Sequence, residues 1–543
     1  MSLITIPESV ADALEKYASQ AGLTVSQFSL AVGLGAATLA SIGIYLSSGN
    51  KNDTPYGPGP KGVPILGNAA DLPKTDDYKV YASWAKKYGD FIYLTVLGQP
   101  IYLISSAKTA ADLLDKRAMI YSDRPKMFFA QEMVGWKRTP VLTSSLDPKY
   151  TRYRKLFHNA LRKERVRELA PLQEQSSHTM LKLILDKPDD WLAHIRYCIG
   201  AVITKLTYDY DMAPEGDEFV ALAEKSADTF SQAAAPGAWM VDIFPWLRFL
   251  PSWFPGAGFK RTAAEWKAVN DYLHAKPYNT VKEQMAAGTH GGSVTSRLLT
   301  VRDGEPPLNA EEEDKIMWVV GAIYSGGADT TVAALTTFVL AMVLYPEAQR
   351  KAQDEIDRVI GSGKCVREGG RLPAISDRSR LPYVEALYQE VLRWHPVAPL
   401  GVPHRLTTED KWGAYTVPKG STVISNIWAM GHTEDDSDEF KPERQLYRAA
   451  DAQDPREYVF GFGRRVCPGK ELADAGVWLA IVTLLAAFKF GKKSDGKGGF
   501  IEVKEEYGTG IICHPKPFEC SITPRASTSA ELINTTFAAD RDI

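Results

Sequence analysis

The chain has 543 residues, 45% of them hydrophobic and 24% charged, which is enough for a large core around an enclosed apolar cavity. A formal net charge of −3 argues against a nucleic-acid binder that relies on an overall positive field. The five cysteines, Cys198, Cys365, Cys467, Cys513 and Cys520, are odd in number and lack CxxC pairing, so neither a disulfide framework nor a zinc site organises the fold.

No charged residue occurs between Lys16 and Lys51. Within that gap Phe28 to Leu46, FSLAVGLGAATLASIGIYL, would span about 28 Å as a helix, close to the roughly 30 Å hydrocarbon core of a bilayer. Acidic Glu8, Asp12 and Glu15 precede the run, unlike a signal peptide, and Lys51 and Lys61 follow it, favouring a cytosolic side for the remaining chain. The expectation is a lumenal segment over 1–27 and a membrane anchor at 28–46, with a buried helix as the plain alternative. Thr54 to Pro64, TPYGPGPKGVP, is too rich in proline and glycine for helix or central strand. Residues 47–68 therefore read as a hinge, either orienting the anchor or simply spacing it.

In the body, 69–522, Phe91 to Leu97 and Ile101 to Ile104 predict strands around the turn Gly98-Gln99-Pro100. Helical patterns dominate from about Tyr150. Arg152, Lys155, Arg162 and Lys163 form either a solvated face or a docking surface for an acidic partner. Pro236 to Phe259, dense in Trp, Phe and Pro, reads as a membrane-facing or lid-like loop, or as aromatic core. Asn309 to Tyr345 is a long helix with an acidic first turn. Inside it, Gly326-Gly327-Ala328-Asp329-Thr330-Thr331 should loosen the hydrogen-bond ladder, or else permit close helix packing. Glu390 and Arg393, at i and i+3, share a helix face and can pair. Tyr415 to Ile427 reads as extended, and 523–543 as a tail. The class is mainly α with small β sheets.

Phe460-Gly461-Phe462-Gly463-Arg464-Arg465-Val466-Cys467-Pro468-Gly469 places one cysteine just before an apolar helix, Leu472 to Phe488. The helix N-terminus, with Arg464 and Arg465, should stabilise a thiolate there. The glycines let the backbone approach a flat group and aim N–H donors at the sulfur. An inert buried thiol is the alternative.

This stretch resembles the cytochrome P450 haem-binding signature, Phe-x-x-Gly-x-Arg-x-Cys-x-Gly, at Phe460, Gly463, Arg465, Cys467 and Gly469. Other stretches follow in the family's order, and the chain most resembles fungal microsomal, membrane-anchored haem-thiolate monooxygenases of secondary metabolism. The resemblance implies the P450 fold, haem b (iron protoporphyrin IX), and Cys467 as axial ligand to its iron. It implies that Glu390, Arg393 and Arg444 form a buried triad, although Gln445 stands where an aromatic is usual. Thr330 would hold the oxygen network and Asp329 relay protons. Arg154, His404 and Arg465 would meet the haem propionates, with Tyr150 in place of the usual Trp. Phe128, Phe129, Met133, Ile323, Ala398, Leu400 and Ile511 would line the substrate pocket. The implied reaction inserts one atom of O₂ into a terpenoid, polyketide or aromatic substrate by hydroxylation or epoxidation. No nucleotide fingerprint is present, so electrons would come from an NADPH-dependent reductase carrying FAD and FMN. The resemblance places the chain in the endoplasmic reticulum membrane as a single-pass protein, its catalytic domain cytosolic and its residues 28–46 in lipid. The alternatives are a haem isomerase, dehydratase or peroxygenase needing no reductase, a haem-binding sensor, and a cofactor-free membrane protein.

Overall fold

The computed structural model describes residues 55–213, 216–235, 237–301, 307–362, 369–449 and 452–541. The expected anchor at 28–46, the segment before it, residues 47–54 of the hinge and Cys365 lie outside the described residues. The longer helices are α1 (Asp77–Tyr88), α2 (Pro148–Leu161), α3 (Ala170–Asp186), α4 (Trp191–Tyr208), α5 (Glu218–Ala233), α6 (Gly258–Ala287), α7 (Ala310–Leu344), α8 (Pro346–Val359), α9 (Pro382–Trp394), α10 (Lys470–Ala487) and α11 (Ser527–Arg541). Short strands are β1 (Phe91–Val96), β2 (Gln99–Ile104), β3 (His404–Arg405), β4 (Asp410–Trp412), β5 (Tyr415–Val417), β6 (Thr422–Ser425), β7 (Phe488–Lys492) and β8 (Cys520–Pro524).

One sheet has the order β1-β2-β6-β3, with β2 and β6 parallel and the other pairs antiparallel. β4 pairs with β5, and β7 with β8. The predicted first hairpin forms around Leu97 and Gly98, both at positive φ, a pairing that matches strand twist. The extended stretch over 415–427 is two strands, β5 and β6, because Pro418 and Gly420 (φ 89°) turn the chain between them. The described part of the hinge is not a free spacer. Tyr93 N donates to Pro58 O at 2.7 Å, Thr416 N to Pro55 O at 2.8 Å, and Asn68 N to Thr95 O at 2.6 Å. Residues 55–68 are thereby strapped along the sheet edge.

Helix α7 starts at its predicted cap, where the Asn309 side chain accepts from Glu312 N. It is long and apolar enough to cross a membrane, but most of that apolar surface is buried inside the protein. Phe338 and Leu340 of α7 join Leu387 of α9 and Trp478 and Leu484 of α10 in the main core, each essentially inaccessible. Full burial of side chains this size contributes about 1.5–3 kcal/mol each. The expected tail is also part of this core: β8 runs to Pro524, and Leu532 and Ile533 of α11 are buried against it. His178 of α3 pairs with Asp540 of α11 at 2.7 Å.

The aromatic stretch after Ala235 divides its two readings between residues. Trp239 stacks on Phe129 at 3.6 Å in the interior, whereas Trp246, Phe249 and Trp253 are 60%, 73% and 80% exposed.

Candidate active site

Cys467 closes a loop shaped by two left-handed glycines. Gly461 has φ 77° and Gly463 φ 53°, and a Cβ on Gly463 would lie 2.2 Å from Leu114 O. Only glycine fits that approach. Cys467 N donates to Phe460 O at 2.8 Å, and α10 starts three residues later. The thiol is deep within the molecule, yet its Sγ opens onto a cavity of about 440 Å³, so Cys467 is remote from bulk solvent and exposed at once. Burial pushes its pKa up, opposed by the backbone of Gly469 and by Arg154 and Lys470. Arg464 and Arg465, expected to stabilise a thiolate, are not among these opposing charges, and a bound metal ion would favour the thiolate. Arg464 and Arg465 instead lie over the Tyr150 ring, at 5.4 and 4.2 Å.

Gly326, Gly327 and Thr330 of α7 line the same cavity. The helix runs uninterrupted through them, and no break in its ladder appears, contrary to the predicted loosening. Thr330 Oγ1 donates to Gly326 O at 2.7 Å, so the hydroxyl supplements the ladder. The two glycines differ. A Cβ on Gly326 would meet nothing within 4 Å, whereas one on Gly327 would lie 2.9 Å from Ile203 Cδ1 of α4. Gly326 leaves an open face, and Gly327 serves close packing. Asp329 is not brought to this cavity: its Oδ2 lies 3.0 Å from His514 Nε2, on the other side of the helix segment.

Cations crowd the cavity. Arg124 donates to the carbonyl oxygens of Val141, Val402 and Pro403, Arg154 to Val466 O, and Arg465 to Ser122, Pro140 and Thr143. Among the described residues none of the three has a carboxylate partner, since neighbouring Asp123 is engaged by Arg405. Burial, with Arg465 nearby, holds the Arg124 pKa far below its usual value, and burial lowers Arg465 to about 10. His404 Nδ1–H donates to Tyr121 O at 2.8 Å. Burial and the Arg124 charge pull its pKa down to about 3. Buried guanidinium groups without counter-charge are costly, and two carboxylates of a bound group would relieve them. Tyr150, expected to donate to such a carboxylate, spends its hydroxyl on Arg464 O at 2.5 Å and so braces the cysteine loop.

Behind the loop, Glu390 and Arg393 form a fully buried two-pronged pair, both bonds 2.8 Å. Arg444 stands further off, its Nε 3.6 Å from Glu390 and without a hydrogen bond, and its guanidinium pairs with Asp436 and Glu434. The place beside this pair on Glu390 is taken by Gln445, whose Nε2 donates at 3.0 Å. The residue that departs from the family pattern is thus a full member of the cluster.

Ile323, Ala398, Leu400 and Ile511 line the cavity, as do Phe460 and Gly469. Phe128, Phe129 and Met133 do not: Phe129 is wholly buried in the stack with Trp239, Phe128 lies beneath Arg248, and Met133 packs on the same cluster. They build the wall behind the pocket. Sequence reasoning missed Arg124, Gln445 and His514. Arg124, in Asp123-Arg124-Pro125, carried no spacing signal.

The residues present fit a flat dianionic iron macrocycle: Cys467, the one exposed thiol among the described cysteines, lies at the cavity, a helix face is bare at Gly326, and the cavity arginines have no carboxylate partner among the described residues. A family model described as Cytochrome P450 matches residues 57–522. Cytochrome P450 monooxygenase claR of Ampulloclitocybe clavipes is 42% identical over 509 residues, 92% of each chain. Cytochrome P450 monooxygenase 208 of Postia placenta is 42% identical over 486 residues, 88% of this chain and 92% of that one. A zebra fish cytochrome P450 solved with abiraterone superposes with a TM-score of 0.64 at 21% identity, covering 83% of this chain and 100% of the other, a likeness of fold.

Proposed function

The chain belongs to the cytochrome P450 family of haem monooxygenases, and from that membership we propose that it inserts one atom of O₂ into a hydrophobic small molecule. The second oxygen atom leaves as water, and the electrons come from NADPH through a membrane-bound reductase carrying FAD and FMN. The observation that carries this reading is that the Cys467 sulfur and Gly326, Gly327 and Thr330 of α7 open onto one cavity.

Haem b held there would supply thiolate-ligated iron, whose electron-rich sulfur favours O–O cleavage. Cys467 is the iron ligand in this reading, held by the Phe460 carbonyl and the glycine turns. Arg124, Arg154 and Arg465 would hold the propionates, His404 would join them once their charge protonates its Nε2, and Tyr150, Phe460 and Gly469 would shape the cofactor's bed. Glu390 and Arg393, with Gln445 and the more distant Arg444, brace the loop through α9. Thr330 holds a hydroxyl at the oxygen face, and Asp329 supplies protons to it. Ile323, Ala398, Leu400 and Ile511 exclude water and favour an apolar substrate such as a terpenoid, polyketide or aromatic compound of secondary metabolism.

Exposed Trp246, Phe249, Trp253 and Ile65 support contact with lipid, consistent with an anchor at 28–46 in the endoplasmic reticulum and a cytosolic body. Of the basic residues considered for docking, Arg152 is tied to Glu312 at 2.7 Å and Arg162 lies 3.9 Å from Glu164. Exposed Lys155 and Lys163 remain for an acidic reductase surface.

The test is product formation under ¹⁸O₂ from a panel of hydrophobic metabolites, with reductase and NADPH. One ¹⁸O atom per product is expected. An unlabelled rearranged product, or full turnover with peroxide and no reductase, would favour the isomerase or peroxygenase alternative.

A further inference from the structure

Asp329 touches two features that have no part in the large cavity. Its Oδ2 meets His514 Nε2 at 3.0 Å. It also borders a separate small cavity of about 20 Å³, shared with Arg196 and Glu224. That volume holds about one water molecule. Arg196 Nη1 pairs with Glu224 at 2.6 Å, but its Nε is buried without a partner among the described residues, a donor left for such a water. The next residue, Thr330, faces the large cavity.

His514 is held independently of this pair. Gly508 N donates to its carbonyl at 2.8 Å, and three residues earlier Ile511 lines the large cavity and bonds Ser231 of α5. The loop therefore brings an imidazole to α7 on a fixed backbone. A carboxylate hydrogen-bonded on one oxygen has one orientation, whereas a half-buried carboxylate without that donor would be free to turn.

We propose that His514 is a positioning residue for proton delivery. Its Nε2–H holds the Asp329 carboxylate turned from the substrate cavity toward the water-sized space beside Arg196 and Glu224. Protons then reach the oxygen face of α7 through Asp329 and not across the apolar pocket. The proposal rests on the monooxygenase reading and on Asp329 as its proton donor.

The experiment needs no substrate. The full-length protein, with reductase, NADPH and O₂, partitions oxygen between two-electron, two-proton reduction to peroxide and four-electron, four-proton reduction to water. Starved of protons, it releases more peroxide per O₂ consumed. His514→Ala should raise that ratio several-fold, and His514→Gln, which keeps an N–H donor, should recover most of the difference. Independently of turnover, His514→Ala and Asp329→Asn should be non-additive in thermal unfolding, because each removes the same bond. The proposal is overturned if Asp329→Asn raises peroxide while His514→Ala does not, if the Gln variant behaves as the Ala variant, or if the unfolding effects simply add. Should Asp329→Asn itself leave the ratio unchanged, the proton-donor role of Asp329 fails, and the role of His514 with it.

Discussion

Glu390 shows how much a single buried carboxylate can organise. It accepts both prongs of Arg393, the Lys441 backbone N–H at 2.9 Å and the Gln445 amide. Removing Arg393 strands a buried charge, so Arg393→Ala should cost about 3–5 kcal/mol in denaturant unfolding. Gln445→Leu should cost about 1–3 kcal/mol. Arg444→Ala should cost less than either, because its closest partners, Glu434 and Asp436, are surface groups. Equal losses for Arg444 and Arg393 would refute that ranking. The same scale governs the cofactor's edges. Arg124→Leu should speed haem loss to an acceptor protein about tenfold, the effect of one charge-assisted bond. The Glu-x-x-Arg pair was legible because helical spacing alone brings the two side chains together. Arg124 and Gln445 were not, because their roles depend on partners far along the chain: Val402 and Pro403 for one, Glu390 for the other.

At the scale of elements, adjacent glycines of α7 make opposite predictions. Gly326→Ala adds a methyl group to open space and a better helix former, so folding stability should hold or rise by up to about 1 kcal/mol. Gly327→Ala forces α4 to yield at Ile203 and should cost about 1–3 kcal/mol. Thermal unfolding of the two variants checks the sign of each. The pattern of small residues was readable from sequence, but helical phase relative to α4 was not. Helix α11 escaped for another reason: its sequence is largely polar, with Leu532 and Ile533 as its inward anchors. Ile533→Ala should cost about 2–5 kcal/mol if that contact stabilises the whole domain, and almost nothing if the helix is a dispensable tail.

The whole molecule carries its buried histidines neutral. Burial holds His274 at about 4, His432 at about 3 and His395 well below its usual value. Unfolding frees them to bind protons near pH 6.5, so the contribution is intact above that pH and is lost as pH falls toward 4. Asp242, raised by burial to about 6, and the more exposed Glu505, raised to about 7, act in the opposite sense, the folded form taking up their protons. The histidines, more completely buried, should prevail, and the unfolding midpoint should fall from pH 7 to 5. A midpoint that is flat or rises over this range would contradict the assignment. Mainly helical architecture was legible from periodicity and the cysteine loop from its glycines, whereas the strapped hinge and the aromatic wall needed tertiary contacts between segments such as Tyr93 with Pro58 and Phe129 with Trp239.

Ligation of a bound haem by the Cys467 sulfur is read from the reduced carbon monoxide difference spectrum. The purified protein should show a Soret band at about 450 nm, the mark of thiolate ligation, and Cys467→Ala should abolish it. A haem-loaded Cys467→Ala protein that retains this band would rule out Cys467 as the ligand.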